Sequence, residues 1–175
     1  MRVLSTAAIA TAALFALTTT EAGAEGFASG RMARKNAAGG VTAGAGRAAE
    51  GANGGGFVQG RGMASDGQGN AAGGSGGAFK GPNGAMGARA GSWNRSADGT
   101  VNHQSGGAVS GAAGTASTSG SMTKGADGSA SGQRNTNATA TSGATYAGET
   151  TYEKGSGATH SGTCTDASGN VVACP

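Results

Sequence analysis

The stretch ADGSASGQRNTNATATSGATYAGETTYEKGSG (residues 126–157) predicts the fold, because turn residues separate short alternating runs in it. The Asp127-Gly128 step tolerates the positive φ that tight hairpin turns need. Residues 138–141 alternate Ala and Thr, and Tyr146 and Tyr152 fall on one face of the next run. Alternation between turn signals is typical of antiparallel strands, so the stretch predicts consecutive β-hairpins.

Turn-forming residues recur about every 12–15 residues from Gly81 to the C-terminus, for example at GPNG (81–84), ADG (97–99) and ASGN (167–170). Evenly spaced turns predict an all-β repeat of antiparallel hairpins over residues 81–175, arranged as a meander or a single-layer sheet. Small polar side chains on both faces specify the strand register weakly. Disorder therefore remains the alternative for this half.

Residues 25–80 are rich in Gly and Ala, with scattered Arg and Phe. A weak repeat relates GFASGRMA (26–33) to GFVQGRGMA (56–64). Glycine at this density penalises helix and strand alike. The sequence therefore predicts that residues 25–80 form a basic, flexible segment, so that the N-terminal half is mostly disordered and of low complexity.

The composition argues against a conventional hydrophobic core. Residues 25–175 contain no Leu and no Ile, and the chain has 38 Gly. Burial of the few large apolar side chains cannot offset the backbone entropy of ordering every residue. The chain must either stay disordered or order through backbone pairing, as sheets of small side chains do.

The start of the chain reads MRVLSTAAIATAALFALTTTEAGAEG, with a positive Arg2, an apolar run and a small-x-small site before Glu25. This order predicts a secretory signal peptide over residues 1–24, cleaved between Ala24 and Glu25. The apolar run is shorter than the 20 or so residues of a membrane span. No second apolar run follows it, so no stable membrane span is expected in the mature chain, and export to the periplasm, cell surface or medium is predicted.

Both cysteines of the protein, Cys164 and Cys174, lie in its last 12 residues. Disulfides persist outside the cytoplasm, so the two are expected to pair with each other. A three-residue turn at 168–170 would place them directly opposite each other in a hairpin. Such a disulfide hairpin (164–174) would fix the free end of the sheet. The alternative is an exposed terminal loop that is closed by the disulfide and is not part of a sheet.

The sequence shows no arrangement typical of catalysis. His103 and His160 are far apart and lack metal-ligand spacing, and no serine occupies a nucleophile turn. The acidic residues are single and scattered, and no Walker pattern is present. We therefore expect no enzyme activity, no cofactor, no metal site and no small-molecule substrate.

The segments SADGTVNHQSG and CTDASGNVVACP carry a resemblance to a known group. Over about residues 80–175 the chain resembles uncharacterised small exported Gly/Ala/Ser/Thr-rich proteins of Gram-negative bacteria. The x-Asp-Gly turns and the terminal cysteines carry the likeness. It implies a bacterial host and brings no catalytic residue.

Charge divides the chain into a basic part (residues 25–95, net +5) and a mildly acidic part (residues 96–175, net −2). The first functional hypothesis is an exported structural or interaction protein, a surface or matrix component that self-associates through β-pairing of small residues. The alternative is a non-specific binding module for anionic polymers, such as polysaccharide, extracellular DNA or lipopolysaccharide. The candidate anion-binding residues are Arg31, Arg34, Lys35, Arg47, Arg61 and Lys80.

Overall fold

The computed structural model describes residues 26–174, which form one antiparallel β-sheet of eleven strands and no helix. The strands follow one another across the sheet in chain order. The prediction of antiparallel hairpins in a single layer is confirmed from Gly81 onward. The strands are β1 (Gly26–Lys35), β2 (Val41–Glu50), β3 (Gly56–Ser65), β4 (Ala71–Lys80), β5 (Met86–Arg95), β6 (Val101–Gly111), β7 (Gly114–Lys124), β8 (Ala130–Ala140), β9 (Thr145–Glu153), β10 (Gly157–Thr165) and β11 (Val171–Val172).

Eight of the ten connections use the same five-residue turn. In each, the N–H of the first residue donates to the carbonyl of the fifth. The fourth residue is always a glycine, with φ from 70° at Gly54 to 100° at Gly69. Residues that carry a side chain rarely adopt this left-handed backbone conformation, so glycine is required there. The turns begin at residues 36, 51, 66, 81, 96, 125, 140 and 166.

The prediction of a mostly disordered N-terminal half is wrong for residues 26–80, which form β1 to β4. Ten-residue strands and five-residue turns repeat there every 15 residues, since the turns begin at 36, 51 and 66. The cost of glycine applies to each residue separately, whereas the turn spacing fixes the pairing of whole strands. The sheet also continues past residue 80, because β4 pairs with β5 along its full length.

Neither face of the sheet carries a hydrophobic core within residues 26–174. Cys164, at 8% exposure, is the one buried apolar side chain there, whereas Phe27 is 70% exposed and Met32 is 52% exposed. The shortage of large apolar residues predicts this result. Backbone hydrogen bonds and contacts between side chains of adjacent strands hold the layer together, and both faces are accessible to partners.

The predicted disulfide is confirmed, since Cys164 and Cys174 are bonded with their Cα atoms 5.3 Å apart. The predicted register of the last hairpin is wrong by two residues. The turn is not the three residues 168–170 but the five residues 166–170, so Cys164 pairs with Val172. Cys174 therefore bridges back to β10 from two residues beyond β11.

Loss of this disulfide is expected to loosen β11 and the adjoining edge of β10 while the rest of the sheet stays paired. A loop of this size contributes about 2.5–3 kcal/mol in the chain-entropy model, and β11 has only two paired residues of its own. Hydrogen exchange on oxidised protein and on the Cys164→Ser/Cys174→Ser variant measures the effect. Loss of amide protection in β1 to β7 as well would contradict this local role.

In three of the turns an aspartate carboxylate accepts a hydrogen bond from a side chain of the same turn. Asp66 accepts a hydrogen bond at 2.6 Å from the side-chain amide of Asn70, and Asp166 accepts one at 3.0 Å from that of Asn170. Asp127 accepts at 2.7 Å from the hydroxyl two residues later. These side-chain bonds, helped by backbone N–H donors, favour the ionised form and lower the pKa of each carboxyl below its ordinary value of 3.8.

We therefore expect the melting temperature of the protein to fall in acid. A carboxyl whose pKa is depressed by folding contributes stability above its unfolded pKa and loses it as the pH falls through the folded value. The loss should begin near pH 3.8 and continue below it. In thermal melts across this range, the melting temperature of Asp66→Asn/Asp166→Asn should fall less than that of wild type. An equal fall in both proteins would show that these two carboxylates do not cause the loss of stability in acid.

Candidate functional site: a basic aromatic face

The strand register decides which side chains share a face of the sheet. Cross-strand partners point to the same side, and successive residues of a strand alternate between sides. Arg31 pairs with Ala45, Ala45 with Arg61, and Arg61 with Ser75. We name the side that contains this row the basic face, and the opposite side, which contains Gly30 and its partners, the small-residue face.

Charge is separated between the two faces. The strands contain ten Lys and Arg, of which only Arg34 and Lys80 lie on the small-residue face. The three strand acids, Glu50, Glu149 and Glu153, all lie on that face too. The basic face therefore carries no acidic strand residue. Its cations are Arg31, Lys35, Arg47, Arg61, Arg89, Arg95, Lys124 and Arg134.

Five arginines form a band along the middle of the basic face. Arg31, Arg61 and Arg134 share one row across the strands, and Arg47 and Arg89 share the next. We call these five residues the arginine band. Adjacent strands lie about 4.8 Å apart, so the band extends over about 34 Å from β1 to β8.

Large apolar side chains flank the arginine band on both sides. All six aromatic residues within 26–174 lie on the basic face. Several are well exposed, such as Phe79 at 47% and Tyr152 at 41%. The guanidinium of Arg47 lies 5.6 Å from the centre of the Phe57 ring, which is cation–π distance. One flanking row contains Phe27, Phe57, Phe79 and Tyr146; the other contains Met63, Trp93, Met122 and Tyr152.

Glycines on neighbouring strands make room for these rings. A Cβ atom at Gly73 would lie 2.8 Å from Nε1 of Trp93, and one at Gly87 would lie 2.5 Å from Cε1 of Phe79. Tyr146 covers Gly162 in the same way, with Cε2 at 2.9 Å from the Cβ position. Each ring thus lies against the backbone of an adjacent strand, and its other side faces outward.

Two hydrogen-bonded groups continue the basic face from β7 to β10. Arg134 donates to the hydroxyl of Thr118 at 3.3 Å. His160 lies 2.8 Å from the hydroxyl of Thr150 through Nδ1 and 3.0 Å from that of Tyr146 through Nε2. Apart from Arg134, this part of the face offers hydrogen-bond donors and acceptors rather than positive charge.

Of the six predicted anion-binding residues, the structure places four together: Arg31, Lys35, Arg47 and Arg61 lie on the basic face. Arg34 and Lys80 lie on the opposite face. The role of all six remains a prediction.

The anion-binding set predicted from the sequence did not include Arg89, Arg95, Lys124 or Arg134, and the aromatic rows were not predicted. A signal for this face was present in the weak repeat of GFASGRMA and GFVQGRGMA. Phe27 and Phe57, like Arg31 and Arg61, are 30 residues apart, which equals two strands and two turns. Residues at this spacing return to the same row and the same face.

Comparison of the chain with protein-family models, with curated proteins and with solved structures found no match. No helix long and apolar enough to cross a membrane occurs in residues 26–174. Across those residues, no three His, Cys, Asp or Glu side chains lie close enough together to hold a metal ion. The predicted signal peptide and its cleavage site between Ala24 and Glu25 lie outside the described residues.

Proposed function

We propose that this chain is an exported interaction protein that binds an anionic polymer through its basic face. The observation that carries the proposal is the separation of charge, with eight cations and no acidic strand residue on one side of a single layer. A single-layered sheet whose described residues form no hydrophobic core offers its partners extended surfaces, and an extended surface suits a long polymer better than a small substrate.

The Cys164–Cys174 disulfide fits a compartment outside the cytoplasm. Periplasm, cell surface and medium all meet that condition, and each contains anionic polymers. A protein that holds such a polymer to itself or to neighbouring surfaces would serve as a surface or matrix component. This proposal follows the alternative hypothesis drawn from the sequence, the binding of an anionic polymer.

Binding to an anionic polymer is expected to weaken steeply as salt rises, because cations that contact the polymer release its counterions. Five contacts along the arginine band would give a slope of about −3.5 to −4.5 in a plot of log affinity against log salt. Titration of the mature chain against a fluorescent anionic polymer at several salt concentrations measures this slope. An affinity independent of salt would contradict the proposal.

Self-association through strand pairing is a second candidate, favoured by the free edge of β1. All ten residues of β1 are exposed, and within residues 26–174 only β2 pairs with it. Arg31, Arg34 and Lys35 oppose the pairing of two copies of β1, because like charges would meet at the new junction. The opposite edge is covered in part by β11 and the disulfide.

Edge pairing and polymer binding should therefore respond to salt in opposite directions. Screening of the three cations on β1 favours association of two copies, so sedimentation velocity should show larger species as salt rises. The substitution Arg31→Glu removes one of these repelling cations, so the variant should associate already at low salt and depend less on added salt than wild type. A monomer at every salt and protein concentration would eliminate assembly through this edge.

A further inference from the structure

We infer that the polymer is an acidic polysaccharide that lies across the strands, along the arginine band, with sugar rings stacked on the flanking aromatic side chains. This inference rests on the proposed function and specifies its ligand. Three features of the basic face match three features of such a chain, which carries carboxylates, apolar ring faces and hydroxyls.

The arginine band matches the carboxylates. Each guanidinium presents a planar fork of donors that fits a carboxylate in two parallel hydrogen bonds. Arg31, Arg47 and Arg61 come from three successive strands, so their positions advance by about 4.8 Å per strand across the sheet. A linear polymer that meets them in turn must run perpendicular to the strands.

The aromatic rows match the apolar faces of sugar rings. The face of an aromatic ring is electron-rich. It attracts the weakly positive hydrogens of the C–H bonds on one side of a pyranose ring. Phe79 and Trp93 are held against Gly87 and Gly73, so one side of each ring is already covered. The outer side is left for stacking, and little side-chain entropy is lost when a ligand covers it.

Two hydrogen-bonded groups from β7 onward match the hydroxyls. Thr118 on β7, and Thr150, Tyr146 and His160 on β9 and β10, supply donors and acceptors on the same face. Sugar hydroxyls both donate and accept, so they satisfy such groups in either direction. A DNA strand offers phosphates and stacking bases but few hydroxyls. It would therefore form fewer hydrogen bonds with these polar side chains.

The test compares three polymers on the disulfide-bonded mature chain at one fixed salt concentration. Alginate supplies carboxylates on sugar rings, dextran supplies neutral sugar rings, and oligodeoxythymidine supplies phosphates with stacking bases. We expect alginate to bind more tightly than oligodeoxythymidine and dextran not to bind. Trp93→Ala should weaken alginate binding about tenfold, by loss of one stacking contact.

Two further variants keep the test decisive if Trp93→Ala disturbs the sheet. Phe27→Ala removes an aromatic ring that is 70% exposed on the edge strand, and it should also weaken alginate binding. Met86→Ala removes a large apolar side chain that is 52% exposed on the small-residue face and should leave binding unchanged. Circular dichroism and thermal melts confirm that each variant folds.

The outcomes separate this inference from the proposed function. If oligodeoxythymidine binds as tightly as alginate or more tightly, the inference that the ligand is a polysaccharide is wrong, whereas the proposed binding of an anionic polymer still stands. Alginate binding that is unchanged by both aromatic substitutions would overturn the stacking arrangement and the inference with it. Failure to bind either anionic polymer would overturn the proposed function as well.

Discussion

Gly73→Ala is expected to lower the free energy of unfolding by about 1–3 kcal/mol, whereas Gly60→Ala is expected to raise it by up to about 1 kcal/mol. Both glycines lie within strands, on β4 and β3, and neither has a positive φ. The two substitutions add the same methyl group. The opposite signs follow from what each methyl would meet.

At Gly73 the new Cβ would lie 2.8 Å from the carbonyl oxygen of Gly62 and 2.8 Å from Nε1 of Trp93. The ring can turn away, but the carbonyl belongs to the paired backbone and cannot move without straining the sheet. At Gly60 the nearest atom is the carbonyl oxygen of Ala45 at 3.6 Å, an ordinary contact. Alanine there has room and loses less conformational entropy on folding than glycine does.

Urea unfolding of the two variants and wild type, followed by circular dichroism, measures the difference. Tryptophan fluorescence supplies a second reading, because Trp93 is the single tryptophan of the chain and should become more exposed in Gly73→Ala. Stabilisation by both substitutions would show that the paired backbone beside Gly73 has room for a methyl group. Destabilisation by both would show that the small-residue face is also tightly packed.

The turns explain how much of the fold the sequence could predict. Asp127-Gly128 and the ASGN segment mark turns by residue type, and the strands between them follow. The turn at 51–55 contains Asn53-Gly54, a turn signal by residue type, but the glycine-rich sequence around it does not show where the flanking strands begin and end. The spacing of 15 residues between this turn and the next does show it, and the same regularity predicts β1 to β4.

The basic face was harder to predict than the turns, because face assignment depends on register. Arg34 and Lys35 are adjacent in the chain but project to opposite sides of the sheet. A one-residue error in the pairing of a strand moves all of its side chains to the other face. Basic residues could therefore be counted from the sequence, but Arg89 could be grouped with Arg61 only once every turn between them was placed.

Substitution of two arginines on the basic face, Arg61→Gln/Arg89→Gln, is expected to weaken binding of an anionic polymer about 30-fold. The estimate takes about 1 kcal/mol for each cation held near an anionic surface. The slope of log affinity against log salt should become less steep by about 2. Arg47 is retained in this variant because it also contacts the Phe57 ring, so the change removes charge without disturbing that contact.

The matched control is Arg34→Gln/Lys80→Gln, which removes the same charge from the small-residue face. Its polymer affinity should stay close to that of wild type, because a polymer on the basic face is separated from these two side chains by the sheet itself, and salt screens charges beyond about 8–10 Å. Equal losses in the two variants would mean that net charge, not the arrangement on one face, governs binding. A loss confined to Arg61→Gln/Arg89→Gln would mean that the strand register, by placing these two arginines on one side, creates the binding surface.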